Sequence, residues 1–184
     1  MDNRSVPFVD VPAMMRVHGE KLEEALAEVV RSGMFINGPR VEELETRLAD
    51  RIGVEHAVAC GSGTAAQQIA LMALGIVPGD EVIVPDFTFI ATAEAVAAVG
   101  AKVVCVDVDP HTFTMDPAAT RAAMNERVKA IVPVSLFGQP AALDVFEEMA
   151  REYGIACIED ACQSLGARLG DRQSGSFGSC GFTS

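Results

Sequence analysis

Apolar positions recur at helical spacing over the first fifty residues and then gather into short, nearly continuous runs. In "GEKLEEALAEVVRSG", Leu22, Leu26, Val29 and Val30 form one stripe. In "GPRVEELETRLADRIG", Val41, Leu44, Leu48 and Ile52 form another, with Pro39 in the first turn and Gly53 as a stop. Between them lies "SGMFING", a glycine-bounded loop that could fold over a site. From His56 onward the runs "HAVAC", "EVIVP", "KVVCVDV", "KAIVPVSL" and "IACIED" read as strands. They alternate with the helical stretches "TAAQQIALMALG", "TFIATAEAVAAVG", "DPAATRAAMNE" and "AALDVFEEMAREYG". Buried strands alternating with amphipathic helices predict an α/β fold, three layers with a mainly parallel sheet covered on both faces. Such sheets bind ligands beyond the carboxyl ends of their strands.

Composition narrows the function classes. The chain has 184 residues, 49% of them hydrophobic, enough for a packed domain. Its net charge of −12, with no Lys/Arg cluster, argues against a nucleic-acid footprint. No apolar run reaches a membrane span, and "MDNRSVPFVD" lacks the apolar core of a leader, so a cytoplasmic protein is expected. Cys60, Cys105, Cys157, Cys162 and Cys180 include no C-x-x-C pair; the first three fall in predicted strands and read as buried thiols. His18, His56 and His111 lack metal-ligand spacing, and no metal site is expected. In "DVDPHTFTMDP", turn and N-cap duties account for Asp109 and Asp116 more economically than a Mg²⁺ site.

Two places carry candidate chemistry. "ACGSGTAAQQIAL" sets Gly61, Ser62, Gly63 and Thr64 between a strand and a helix, where free N–H groups and the helix dipole favour a phosphate. It lacks the ending of a Walker loop. Gly61, Gly63 and Ala66 do satisfy G-x-G-x-x-A, with Asp86 at the end of the next strand, so a dinucleotide site is a competing reading. The second place is "IACIEDACQS", where a buried strand ends on Glu159 and Asp160. An ionised carboxylate buried without a partner is costly, so each needs one. Phe87 and Phe89 lie at the same sheet edge and offer either a face for a flat ligand or core packing.

Taken together, "CGSGTAAQQIALMALGIVPGDEVIVPDFTFIATAEAV", "KAIVPVSLFGQPA" and "IEDACQSLGA" resemble the DegT/StrS family of nucleotide-sugar aminotransferases. These are fold-type I enzymes that use pyridoxal 5′-phosphate (PLP). The resemblance runs from about Gly38 to Ser184, the N-terminal half of such an enzyme. It implies an N-terminal helical segment over 1–37 and a PLP-binding large domain over 38–184, with the C-terminal small domain absent. By the same resemblance Asp160 pairs with the pyridine nitrogen and is the catalytic carboxylate, and Gln163 contacts the ring hydroxyl. Phe89 stacks on one ring face, and Cys162 takes the place of the family's usual Ala against the other. Gly63, Thr64, Ala65 and Ser184 hold the phosphate. The family's Schiff-base Lys is expected about five residues beyond Ser184, outside this chain, so the chain alone is expected to be inactive. A subgroup carries His there and dehydrates instead.

The implied reaction moves an amino group, from glutamate, to a nucleotide-linked keto sugar in amino-sugar and polysaccharide biosynthesis. The implied full-length protein is a homodimer without nucleic-acid or membrane partners. The wording of the motifs is similar to the branch acting on UDP-linked 3-keto sugars. Two alternatives stay open: an NAD(P)-dependent dehydrogenase or epimerase using Gly61, Gly63 and Asp86, and a degenerate PLP fold without catalysis.

Overall fold

The computed structural model describes Pro7 and residues 9–184. Residues 1–6 and 8, which belong to the stretch read for a leader, lie outside the described residues. The chain divides into two compact units, Met1–Leu44 and Glu45–Ser184, and the division falls within a helix.

The first unit is built on α1 (Val11–Ser32), which Asp10 caps by accepting from Ala13 N at 2.8 Å. Gly33, at φ 68°, ends it in the left-handed conformation that glycine adopts without a steric penalty. The helical stripe is as expected, but Leu26 and Val30 on it are 65% and 66% exposed. After the loop, α2 (Pro39–Ile52) opens on a proline whose missing N–H would have been unpaired anyway. Arg40 in its first turn is held by Glu28 and Glu43.

The second unit carries the sheet. In chain order it contains α3 (Gly63–Ala73), β1 (Glu81–Pro85), α4 (Ala91–Ala98), β2 (Lys102–Val106), α5 (Pro117–Ala123) and β3 (Val128–Ile131). It continues with α6 (Leu143–Tyr153), β4 (Ala156–Asp160), the hairpin strands β5 (Arg168–Leu169) and β6 (Arg172–Gln173), and β7 (Cys180–Phe182). Five strands form one sheet in the order β2-β1-β3-β4-β7, every neighbouring pair parallel. The mainly parallel α/β architecture is therefore as the sequence predicts.

Alternation along the strands feeds two separate cores. Val82, Val84, Ala130, Val132 and Ile158 pack with Leu71 of α3 and Val96 of α4. Ile83, Ile131 and Cys157 pack on the other face with Leu143 and Phe146 of α6. Each large apolar side chain buried this way contributes about 1.5–3 kcal/mol. The chain runs β1 to β2 outward, then returns across β1 to place β3 on its other side. That reversal sets a crevice at the carboxyl ends of β1 and β3.

Two expectations need correction. "HAVAC" is not a strand: residues 56–60 have no ladder partner, and Val58 is 85% exposed. A strand is defined by pairing as much as by its own residues, and among the described residues none pairs with this segment. Cys60, in that segment, is consequently exposed. Cys105 is exposed too, because β2 is an edge strand. Only Cys157 of the three is a buried thiol, with burial pushing it up to about 12. Among the described residues no helix is long and apolar enough to cross a membrane.

Candidate functional site

Four segments meet beyond the carboxyl ends of the strands. The first is the start of α3. Ser62 is its N-cap, in extended conformation, and its hydroxyl accepts from Ala65 N at 3.1 Å. The Ala65 N–H is therefore engaged within the helix start, and Gly63 and Thr64 supply the first-turn N–H groups that helix geometry leaves without intrahelical partners. Gly63 is buried. A Cβ there would stand 2.7 Å from Cys162 Sγ and 3.3 Å from Ser184 Cβ, so glycine leaves room for these two side chains against the start of α3. Gly61 is exposed, and a Cβ on it would meet nothing within 4 Å.

The second segment is the end of β4, where the two carboxylates part. Successive strand residues point to opposite faces. Glu159 is fully buried and meets four donors: the Ser174 and Ser135 hydroxyls on Oε1, and Gly175 N (2.8 Å) and Phe177 N (3.2 Å) on Oε2. Asp160, 7% exposed, accepts from Cys162 N at 3.1 Å on Oδ1 and from Thr92 Oγ1 at 3.3 Å on Oδ2. Among the described residues no Lys, Arg or His pairs with it. Burial raises its pKa, and those donors counteract the shift only in part.

The third segment follows β1. Phe87 and Phe89 are 47% and 70% exposed, which rules out core packing for the pair in this chain. Phe87 lies against Phe113, ring centroids 5.9 Å apart, while Phe89 presents most of its surface to solvent. Thr92, one turn further on, is buried and also accepts, through its carbonyl, from Gln67 Nε2 at 2.9 Å. The fourth segment follows β3, where Phe137 adopts a positive φ of 55° and donates its N–H to Gln163 Oε1 at 2.8 Å. A non-glycine residue in that region is uncommon, and such residues cluster at functional sites. Gln163 itself is exposed.

The other candidates fall away from this cluster or into turns. Asp109 accepts from His111 N and Thr112 N, and Asp116 caps α5 through Ala118 N. Among the described residues no group of three or more His, Cys, Asp or Glu could hold a metal. Asp86 is exposed and lines a groove of about 480 Å³ with Phe87, Asp107 and Phe113. The dinucleotide fingerprint requires a strand before its first glycine, and that strand is missing here.

Sequence reasoning missed Thr92, Ser135 and Ser174. Thr92 left a signal: a polar residue on the buried stripe Thr92, Ala95 and Val96 of α4. The serines left none, because their partner Glu159 is distant in sequence.

The chain belongs to the DegT/DnrJ/EryC1/StrS aminotransferase family, whose profile matches residues 17–184. The match begins well before Gly38, inside α1. The chain is 46% identical to the UDP-2-acetamido-2-deoxy-3-oxo-D-glucuronate aminotransferase of Pseudomonas aeruginosa over 97% of its own length and 50% of that protein. It superposes on a family aminotransferase from Brucella abortus with a TM-score of 0.93 at 42% identity, covering 97% of this chain and 50% of that one. NtdA of Bacillus subtilis, solved with the cofactor PMP bound, matches with a TM-score of 0.86 at 37% identity, over 94% of this chain and 41% of NtdA. The chain thus spans about half the length of the relatives it matches.

Proposed function

We propose that this chain is the cofactor-binding portion of a PLP-dependent aminotransferase that places an amino group on a nucleotide-linked keto sugar. The observation that carries the reading is Asp160, a buried carboxylate at the ligand edge whose donors are neutral and which meets no cation among the described residues. A protonated pyridine nitrogen is the partner such a group lacks. A charge-assisted hydrogen bond of that kind contributes about 1.5–3 kcal/mol.

The residues present fit the group. Gly63 and Thr64 offer first-turn N–H groups, with the Ser184 side chain packed against Gly63, which suits a phosphate. Phe89 has an open face for ring stacking, and Gln163 stands beside Asp160 in the chain with its amide nitrogen available. Ala65 supports the cradle through its bond to Ser62 rather than as a direct donor. When bound, PLP supplies an electron-withdrawing ring next to the amino-bearing carbon. Asp160 then holds the proton on the ring nitrogen, and Thr92 and Cys162 N orient Asp160.

The keto sugar is inferred from the names of relatives, in particular the Pseudomonas enzyme for a UDP-linked 3-oxo sugar acid. Glutamate as donor, a homodimer of the full-length protein, and large-domain boundaries of 38–184 belong to the same reading. Five cysteines without a disulfide accord with a cytoplasmic setting.

Titration with pyridoxamine 5′-phosphate, which needs no lysine, tests the reading. The chain is expected to bind it, and Asp160→Asn to weaken binding by about tenfold or more. Binding of NAD in place of the pyridoxamine compound would return the dehydrogenase reading.

A further inference from the structure

We propose that Glu159 is a positioning residue for the phosphate end of the cofactor site, acting through the turn 174–177. The inference rests on the cofactor reading above. It gives the two adjacent carboxylates of β4 separate tasks at opposite ends of one ligand.

An ionised carboxylate has about four lone-pair sites. Two donors meet each oxygen of Glu159, and they counteract the rise in pKa that burial imposes on the group. Three of the four come from one short turn: Ser174, Gly175 and Phe177. Ser174 is further tied to Ser164, hydroxyl to hydroxyl, at 2.6 Å. A carboxylate buried only for stability has little to recommend it, because apolar residues of similar volume pack as well or better. What Glu159 does gain is a fixed path for the chain that follows.

That path leads to the phosphate cradle within seven residues of Phe177. Gly178 donates to Glu147 Oε1 at 2.7 Å and Ser179 N to Cys157 O at 2.7 Å. Gly178, at φ 80°, passes so close to β4 that a Cβ would lie 2.3 Å from Cys157 O. Then β7 pairs with β4 in the register Glu159–Gly181 and Asp160–Phe182. Ala161 N bonds to Phe182 O at 2.8 Å and Thr183 Oγ1 to Ala161 O at 3.1 Å, which delivers Ser184 beside Gly63. Releasing the turn from Glu159 removes the anchor at the start of this run, while Asp160 keeps its own partners on the other face.

The test compares two ligands that differ only at the phosphate, pyridoxamine 5′-phosphate and pyridoxamine, on the 184-residue chain. Glu159→Gln replaces one acceptor oxygen by a donor facing N–H or O–H groups. It is expected to weaken pyridoxamine 5′-phosphate by about tenfold and to change pyridoxamine by less than about twofold. Amide exchange at Gly175 and Phe177 is expected to quicken in the same variant. Ser174→Ala, which keeps the carboxylate and removes one of its donors, is expected to shift affinity in the same sense by a smaller factor, and it decides the matter should Glu159→Gln not fold. Equal weakening of both ligands, or unchanged affinity for the phosphorylated one, overturns the proposal. A wild-type chain that binds neither ligand overturns the cofactor reading itself, and the role of Glu159 falls with it.

Discussion

Thr92 Oγ1 donates to Asp160 Oδ2 across 3.3 Å, linking side chains 68 residues apart at the carboxyl edge of the sheet. The bond fixes one carboxylate oxygen from α4, while Cys162 N fixes the other from the turn after β4. Thr92→Val keeps the shape and deletes the donor, at about 1–3 kcal/mol for a buried acceptor left short. Affinity for pyridoxamine 5′-phosphate is expected to fall about fivefold, with Thr92→Ser restoring it. A valine variant that binds as the wild type does would show that Asp160 needs no orienting partner.

The amino edge of the sheet holds a different carboxylate. Glu81, at the start of β1, is bonded by Asn125, Lys102 and Arg127, and together they hold its pKa down to about 2. A folded-state value below the unfolded one means the contribution is complete above about pH 4.5. It is lost as pH falls from there through about 2. Denaturant unfolding between pH 7 and pH 2.5 is expected to show wild type and Glu81→Gln converging as the pH drops. A constant difference across that range would place the effect outside this carboxylate.

Thiol reactivity separates the cysteines by position. Cys60 and Cys105 are exposed, while burial pushes Cys157 up to about 12. A disulfide exchange reagent at pH 8 is expected to modify the first two rapidly and Cys157 only on unfolding. Peptide mapping of the labelled protein gives the order. Early labelling of Cys157 would mean that the core between β4 and α6 opens readily.

Much of this architecture is written locally. The runs that became β1 and β4 are apolar because both sheet faces are covered there, and that pattern needs no knowledge of partners. "HAVAC" shows the limit: it has strand composition, but pairing depends on a neighbour elsewhere in space. The exposure of Cys105 is hidden for a related reason, since strand order decides which strand lies at an edge. At the site, the turn that opens α3 and the place of Asp160 at the end of β4 were legible from glycine spacing and the strand pattern. The destination of Glu159 was not, because its donors lie 15 to 18 residues downstream and 24 upstream. The Ser62 cap, which engages Ala65 N, was not read from the sequence, although a serine just before a helix start is its ordinary signal.

The glycine turn offers a paired test. Gly61→Ala meets nothing within 4 Å and is expected to change stability by less than about 0.5 kcal/mol. Gly63→Ala forces a Cβ to 2.7 Å from Cys162 Sγ, with Ser184 close behind, and is expected to cost about 1–3 kcal/mol. It is also expected to weaken the phosphorylated ligand, because Ser184 must move. The dinucleotide reading expects the opposite sensitivity, since its first glycine makes the tight turn. Thermal melts and ligand titration of the two variants discriminate directly.

The remaining prediction concerns amines. The chain has three lysines, Lys21, Lys102 and Lys129. Lys102 begins β2 and its Nζ lies 3.0 Å from Glu81 Oε1; Lys129 Nζ donates to Glu126 O at 3.0 Å near the start of β3. Asp160 ends β4, and in a parallel sheet strand starts and strand ends lie on opposite edges, about 15 Å apart for five-residue strands. Lys21 belongs to α1 in the other unit and is exposed. Neither lysine of the sheet unit is therefore placed to join covalently to a ligand held by Asp160 and Gly63. Incubation with pyridoxal 5′-phosphate followed by borohydride reduction is expected to label all three lysines sparsely, with no single site near one equivalent. Amino transfer by this chain alone is expected to stay at the background of free cofactor. Stoichiometric labelling of Lys102 or Lys129 would require the ligand to sit at the amino edge beside Glu81, and the site built around Asp160 would then be the wrong one.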